Sequence, residues 1–323
     1  MAGNAGKTAL VTGASSGLGF EAAAQLAERG FGTVIITARS AGGVEEARTR
    51  LTERTGNDVF TAVALDNGDL DSVEAAAATV ADYGAQLDFL LLNAGIASPK
   101  NIAKTSEGIE LTVAATLIGH HLLTMRLLER GLLSRNARIV IAGSEAARGD
   151  VPTATPLDVD DFAATHFGGD LESAIERQMR MASPADYKPN DVYATAKLFV
   201  AWWAAELAQR LPDGVTVNAV SPGSTPSTSI MDGTAAYMRF IMAPLLKLLP
   251  GMSHSVADGA GRYLQALSYD GEVSGKFFAS KPKKFTGPLV EIRMDHFENK
   301  AAQQALWTTT AKLAHGVSAP PRS

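Results

Sequence analysis

Short runs of β-branched and apolar residues alternate along the chain with longer alanine-rich stretches whose apolar positions recur at helical spacing. The runs predict strands at Thr8–Thr12, Thr33–Thr37, Val59–Leu65, Leu87–Leu92, Arg138–Ala142 and Val215–Val220, with a weaker one at Lys276–Ala279. Helices are predicted at Gly17–Arg29, Leu70–Tyr83, Gly108–Arg130 and Asp191–Arg210, the last with Asp191 placed to cap its first turn. A strand that is apolar on both faces and followed by a helix is the unit of a parallel sheet covered on both sides, so the pattern predicts a doubly wound α/β fold. One domain is expected over residues 1–323, with three departures from the alternation. Residues 150–190 form a Pro-, Asp- and Gly-rich insertion before the helix at 191, near the strand ends where ligands bind. Residues 226–252 read as a substrate lid, and 295–315 as a helical tail containing Trp307.

Composition narrows the function. The formal charge is −5 over 323 residues and the basic residues are scattered, so nucleic acid is not an expected partner. There is no cysteine, which removes thiolate chemistry and Cys-ligated metal, and the six histidines lack ligand spacing, so no metal site is expected. The most apolar late stretch, Tyr237–Pro250, is broken by Arg239, Pro244 and Lys247, and the chain opens without a secretion signal. The expectation is a soluble, cytoplasmic protein with no membrane span.

The first strand runs into Thr12-Gly13-Ala14-Ser15-Ser16-Gly17-Leu18-Gly19, and a helix follows. Glycines there let the backbone approach a pyrophosphate, whose charge is favoured by the free N–H groups of a helix start, although the spacing differs from the G-x-G-x-x-G fingerprint. Arg39 sits just past the second strand, with no acidic residue at the strand end. A carboxylate there would bind ribose hydroxyls and repel a 2′-phosphate; a guanidinium pairs with that phosphate, so NADPH is the expected cofactor.

Tyr193 and Lys197 are four residues apart in a helical segment, so their side chains rise from one face. A neighbouring cation favours the phenolate of a tyrosine and brings it toward the range useful for proton transfer. Ser144, at the end of the strand Arg138–Ala142, is placed to orient a substrate oxygen.

Taken together, Thr12–Gly19, Asn93-Ala94-Gly95, Ser144, Tyr193 with Lys197, and Pro222-Gly223 occur in the order of the motifs of the short-chain dehydrogenase/reductase superfamily, which the chain resembles over about residues 7–230. The resemblance implies a Rossmann-type sheet and a cofactor site using Gly13, Ser15, Ser16, Gly17, Leu18, Gly19, Arg39, Asp66, Asn67, Asn93, Ala94, Gly95, Tyr193, Lys197, Pro222 and Gly223. It further implies that Asp66 lies near the adenine and that Ser227 or Thr228 contacts the nicotinamide amide. The implied reaction passes hydride to a carbonyl carbon while Tyr193 protonates the oxygen and Lys197 holds the ribose and lowers the tyrosine's pKa. The stretch Thr105–Glu110, Gly119-His120, Leu122-Leu123, the insertion and the tail around Trp307 are similar to the retinol dehydrogenase and light-dependent protochlorophyllide reductase branch. Two positions depart from it: Thr116 stands where the family usually has a catalytic Asn, and Ser224 where protochlorophyllide reductases carry a cysteine after Pro-Gly.

Met231, Met238, Phe240, Ile241, Met242, Leu245 and Leu246 in the lid either line an adaptable apolar pocket or pack the lid onto the core, and a bulky hydrophobic carbonyl substrate is the expectation. Reduction of a conjugated C=C bond is the alternative enzyme reading, and a non-catalytic NADPH-binding sensor is the alternative from another class. Trp202 and Trp203 are read either as a homodimer face or as core.

Overall fold

Both faces of the central sheet are dry, and the strand sequences show it. In the computed structural model, which describes residues 4–225, 253–269 and 271–317, the strands are β1 (Thr8–Val11), β2 (Thr33–Ala38), β3 (Phe60–Ala64), β4 (Leu87–Leu92), β5 (Leu133–Ala142), β6 (Thr216–Val220), β7 (Lys276–Ala279) and β8 (Val290–Glu291). Leu10, Ile35, Leu90, Leu92, Ile139 and Ile141 point into one core layer, and their neighbours Ala9, Val11, Val34, Ile36, Phe89, Leu91 and Val140 into the other. The period-2 alternation is thus between two apolar layers, and an apolar run replaces an apolar–polar one.

The strand order is β3-β2-β1-β4-β5-β6-β7-β8, parallel except for the β7–β8 pair. β1 lies between β2 and β4, so the chain reverses its direction of travel across the sheet there. A crevice therefore opens at the carboxyl ends of β1 and β4, the place where such sheets bind ligands. The helices α1 (Gly17–Glu28), α2 (Ala41–Thr55) and α3 (Leu70–Asp82) follow the first three strands. Next comes α4, the long helix Leu111–Glu129, in which the turn Ala114–Ile118 is π-helical. By length and composition α4 is apolar enough to cross a bilayer, but its apolar window is 83% buried inside the fold, as in a core helix.

The insertion holds two short helices, α5 (Val159–Phe167) and α6 (Leu171–Met179), each begun by an aspartate cap, Asp158 and Asp170. They are tied to the C-terminal helix α9 (Lys300–Leu313) and its cap: Asn299 donates to Asp160 at 2.7 Å, and Lys312 meets Glu176 at 2.6 Å. The catalytic helix α7 spans Pro189–Ala208 and the helix α8 spans Val256–Leu264.

Two expectations change and one open alternative is resolved. The cap of α7 is Lys188, because Pro189 takes the first helical position; Asp191 lies inside the first turn and accepts the Thr155 N–H at 2.8 Å. β5 begins five residues before the predicted strand because the entry Ser134-Arg135-Asn136 is polar and at the sheet's margin. Trp202 and Trp203 are core: both are buried, and their indoles donate to the His296 carbonyl at 2.7 Å and to His121 Nδ1 at 3.0 Å. The lid, with Ser227, Thr228 and its methionines, lies outside the described residues.

Candidate active site

The glycine turn after β1 is built by close approach. Gly13 has φ +66°, and a Cβ on it would stand 2.9 Å from Ala94 Cα; one on Gly19 would stand 2.4 Å from the Gly13 carbonyl. Thr12 joins this turn to the end of β4, its Oγ1 accepting the N–H groups of Asn93 at 2.8 Å and Ala94 at 2.9 Å. The Asn93 amide returns the bond to the carbonyls of Thr12 and Gly13 at 2.9 and 3.2 Å.

Along this ridge runs a cleft of about 300 Å³, lined by Gly13, Ser15, Ser16, Gly17, Leu18, Arg39, Asp66, Asn67, Asn93, Ala94 and Gly95, together with Ala38, Leu65, Ile96 and Ala115. Eleven of the residues predicted for a dinucleotide thus meet in one groove, while Gly19, Tyr193, Lys197, Pro222 and Gly223 do not line it. Gly19 lies behind it, and serves the turn by letting α1 approach. Two details fit a nucleotide. Asn67 Oδ1 is buried without a partner, an acceptor positioned for an amine, while its Nδ2 is bound to the Ala115 carbonyl at 3.3 Å. Arg39 is exposed at the rim and forms no ion pair or hydrogen bond with a described residue. Asp66 Oδ1 is held by the Gly68 N–H at 2.9 Å.

A second, small pocket of about 50 Å³ continues from the cleft through Leu18, Asn93, Gly95 and Ile96 and ends against Ala142, Gly143, Tyr193, Lys197, Pro222 and Tyr263. Here α7 delivers Tyr193 and Lys197 from one face, with Lys197 Nζ 5.8 Å from the tyrosine ring centre. Lys197 donates to the Ala142 carbonyl at the end of β5, at 2.6 Å. Two residues further on, Ser144 caps a 3₁₀ turn (Glu145–Arg148) through the Ala146 N–H at 3.2 Å and shares a hydrogen bond with the Tyr193 hydroxyl.

Burial dominates the electrostatics. It pulls Lys197 down to about 8 and pushes the Tyr193 phenol up, an increase that the Ser144 hydrogen bond offsets in part and the Glu145 charge reinforces. The expected lowering of Tyr193 by Lys197 is not present: Lys197 is not among the groups that shift the phenol, and its Nζ is directed at the Ala142 carbonyl.

Thr116 lies beside the site but takes no part in a polar network. Its Oγ1 is buried and unpartnered, 3.1 Å from where a Cβ on Gly95 would stand. Its carbonyl is engaged by His120 Nδ1 at 2.9 Å.

The turn after β6 is fixed from below. Gly223 has φ +79°, and a Cβ there would stand 2.4 Å from His254 Cδ2 and 2.7 Å from an Arg262 terminal nitrogen. Glu145 accepts from Ser221 Oγ and from the Ser280 N–H at 3.2 Å, and lies 3.6 Å from Arg262. Ser144 and Pro222 are thereby joined through adjacent residues. Sequence reasoning missed Glu145, Arg262 and Tyr263, which belong to no short motif; a charged residue flanking Ser144 inside an apolar region was the available signal.

Comparisons with known proteins show the family and the fold. Residues 7–157 match the family described as short chain dehydrogenase. Human retinol dehydrogenase 13 is 30% identical over 321 residues, covering 98% of this chain and 86% of that protein. Chloroplastic protochlorophyllide reductase of Chlamydomonas reinhardtii is 28% identical, covering 97% of this chain and 79% of that protein. Among solved structures, a point variant of actinorhodin polyketide ketoreductase with NADPH superposes with a TM-score of 0.62 at 22% identity, covering 86% of this chain and 96% of that one, a likeness of fold.

Proposed function

The chain belongs to the short-chain dehydrogenase/reductase superfamily, in its retinol dehydrogenase and protochlorophyllide reductase branch, and from that membership we propose that it is an NADPH-dependent reductase of a bulky hydrophobic ketone or aldehyde, acting in the cytoplasm. The observation that carries the reading is that Tyr193 and Lys197 line a pocket continuous with the cleft along the glycine turn, with Ser144 beside it at the Tyr193 hydroxyl.

NADPH supplies the hydride. The glycine turn and the start of α1 would hold its pyrophosphate, Asn67 would accept from the adenine amine and Arg39 would pair with the 2′-phosphate. At the reacting end, Ser144 Oγ orients the substrate oxygen and Tyr193 Oη delivers its proton there. Lys197, protonated below its lowered pKa of about 8, would supply the charge that eases loss of that proton once Nζ turns from the Ala142 carbonyl toward the phenol. Release of Nζ from the Ala142 carbonyl would free it for the ribose. Ser224 replaces the cysteine of protochlorophyllide reductases, so carbonyl rather than C=C reduction is the reading adopted.

Turnover of NADPH and NADH, followed at the nicotinamide band across bulky ketones, aldehydes, quinones and enones, tests it. Consumption of NADPH with an alcohol product supports the proposal. A saturated product with its carbonyl intact, or oxidation of NADH alone, would refute it.

A further inference from the structure

Four polar side chains face the small pocket at the reacting end: Asn93, Tyr193, Lys197 and Tyr263. Three are already engaged. Asn93 donates both its bonds to the glycine turn, Lys197 donates to Ala142, and Tyr193 is bonded to Ser144. Tyr263, delivered by α8 and only 1% exposed, forms no hydrogen bond with any described residue. Its hydroxyl is not among the side-chain atoms sealed from solvent without a partner, so it opens onto the pocket with a hydrogen to donate, and a ligand with an acceptor oxygen there can take it.

Size and connection identify that ligand. The pocket measures about 50 Å³, several times the roughly 10–15 Å³ that one water needs in that measure, so it takes a small group, and the bulk of a substrate would lie outside it. It also shares Leu18, Asn93, Gly95 and Ile96 with the nucleotide cleft, so its occupant is the far end of whatever fills that cleft. On the reading that the cleft takes NADPH, we infer that Tyr263 is a positioning residue whose hydroxyl donates to the carboxamide oxygen of the nicotinamide, fixing the rotation of the ring that faces Tyr193. Neither Asn93 nor Lys197 has to give up a bond for this contact.

The test is binding, which is decided whether or not a substrate is known. NADPH and 2′,5′-ADP, a fragment without the nicotinamide, are titrated into the wild-type chain and Tyr263→Phe, and the thermal midpoint of each ligand-free protein is recorded. The inference expects NADPH to bind about 5- to 30-fold more weakly to the variant, the value of one buried hydrogen bond. The fragment binds both proteins equally, and the ligand-free midpoint is unchanged or raised, since an unpaired hydroxyl has been removed. Equal NADPH affinity, equal weakening of NADPH and fragment, or a lowered midpoint would overturn it. So would unchanged NADPH affinity with a raised substrate KM, which would assign the hydroxyl to a substrate oxygen. A wild-type chain that fails to bind NADPH would instead refute the cofactor reading on which the inference rests.

Discussion

Thr12 Oγ1 lies 2.9 Å from His120 Nε2, a contact that belongs to one tautomer of a fully buried histidine. The Thr116 carbonyl can only accept, which leaves Nε2 of the neutral ring as an acceptor for the Thr12 hydroxyl, whose hydrogen also has the Leu91 carbonyl within reach at 3.3 Å. Nδ1 then carries the proton and donates to the Thr116 carbonyl at 2.9 Å. One neutral imidazole thereby holds the glycine turn, the end of β4 and the π-helical turn of α4 in register. Replacement by Phe leaves the Thr116 carbonyl without this donor and is expected to cost about 1–3 kcal/mol and to weaken NADPH binding. Urea denaturation and cofactor titration of His120→Phe check both.

Two buried histidines also set a pH dependence. Burial lowers His120 to about 3 and His121 to about 4, from 6.5. Between pH 6.5 and those values the unfolded chain binds protons that the folded chain does not, so stability falls with falling pH. The expected slope is about 1.4 kcal/mol per pH unit for each histidine in that window. Denaturation midpoints at pH 7, 6 and 5 measure it. His254 and His296 are also lowered by burial and add to the slope, so His121→Phe is expected to remove about 1.4 kcal/mol per pH unit of it, and an undiminished slope would contradict the assignment.

Lys197 gives the opposite limb. Its lowered pKa of about 8 makes the ammonium disappear within the working alkaline range, so kcat/KM is expected to decline above about pH 8. Lys197→Met is expected to lack this inflection and to be slow throughout. A wild-type profile flat to pH 10 would contradict the role given to the charge.

Arg39 decides between cofactors. Arg39→Ala is expected to weaken NADPH by roughly 10- to 100-fold, as loss of a charge-assisted bond does, and to leave NADH unchanged. Parallel dissociation constants measure the ratio.

Removing the hydroxyl of Thr116, which is buried without a partner, is expected to do no harm. Thr116→Val is expected to fold with equal or slightly greater stability, by up to about 1 kcal/mol, and to keep its turnover. A large loss of kcat would show that the hydroxyl belongs to the proton path.

The sheet was legible in the sequence because β1, β2, β4, β6 and the second half of β5 are short runs that are almost wholly buried, and the glycine turn because its close contacts admit no side chain. Tyr193 and Lys197 were legible because four residues make one helical turn. Tyr263, Glu145 and Arg262 were not: each reaches the site from a different element, and only the folded chain brings α8 behind Leu18 and Glu145 beneath Ser221. The two-residue β8 has too short a pattern to read. Asp191 misled because a good capping residue followed a proline that had already begun the helix.

The measurement closest to the central claim is NADPH oxidation with the best carbonyl substrate by the wild-type chain and by Tyr193→Phe, with the cofactor dissociation constant of each. The account expects turnover in the wild type, a loss of roughly 100- to 10,000-fold in the variant, and NADPH affinity that is nearly equal in the two. Turnover that survives in Tyr193→Phe would contradict the assignment of the proton to this phenol.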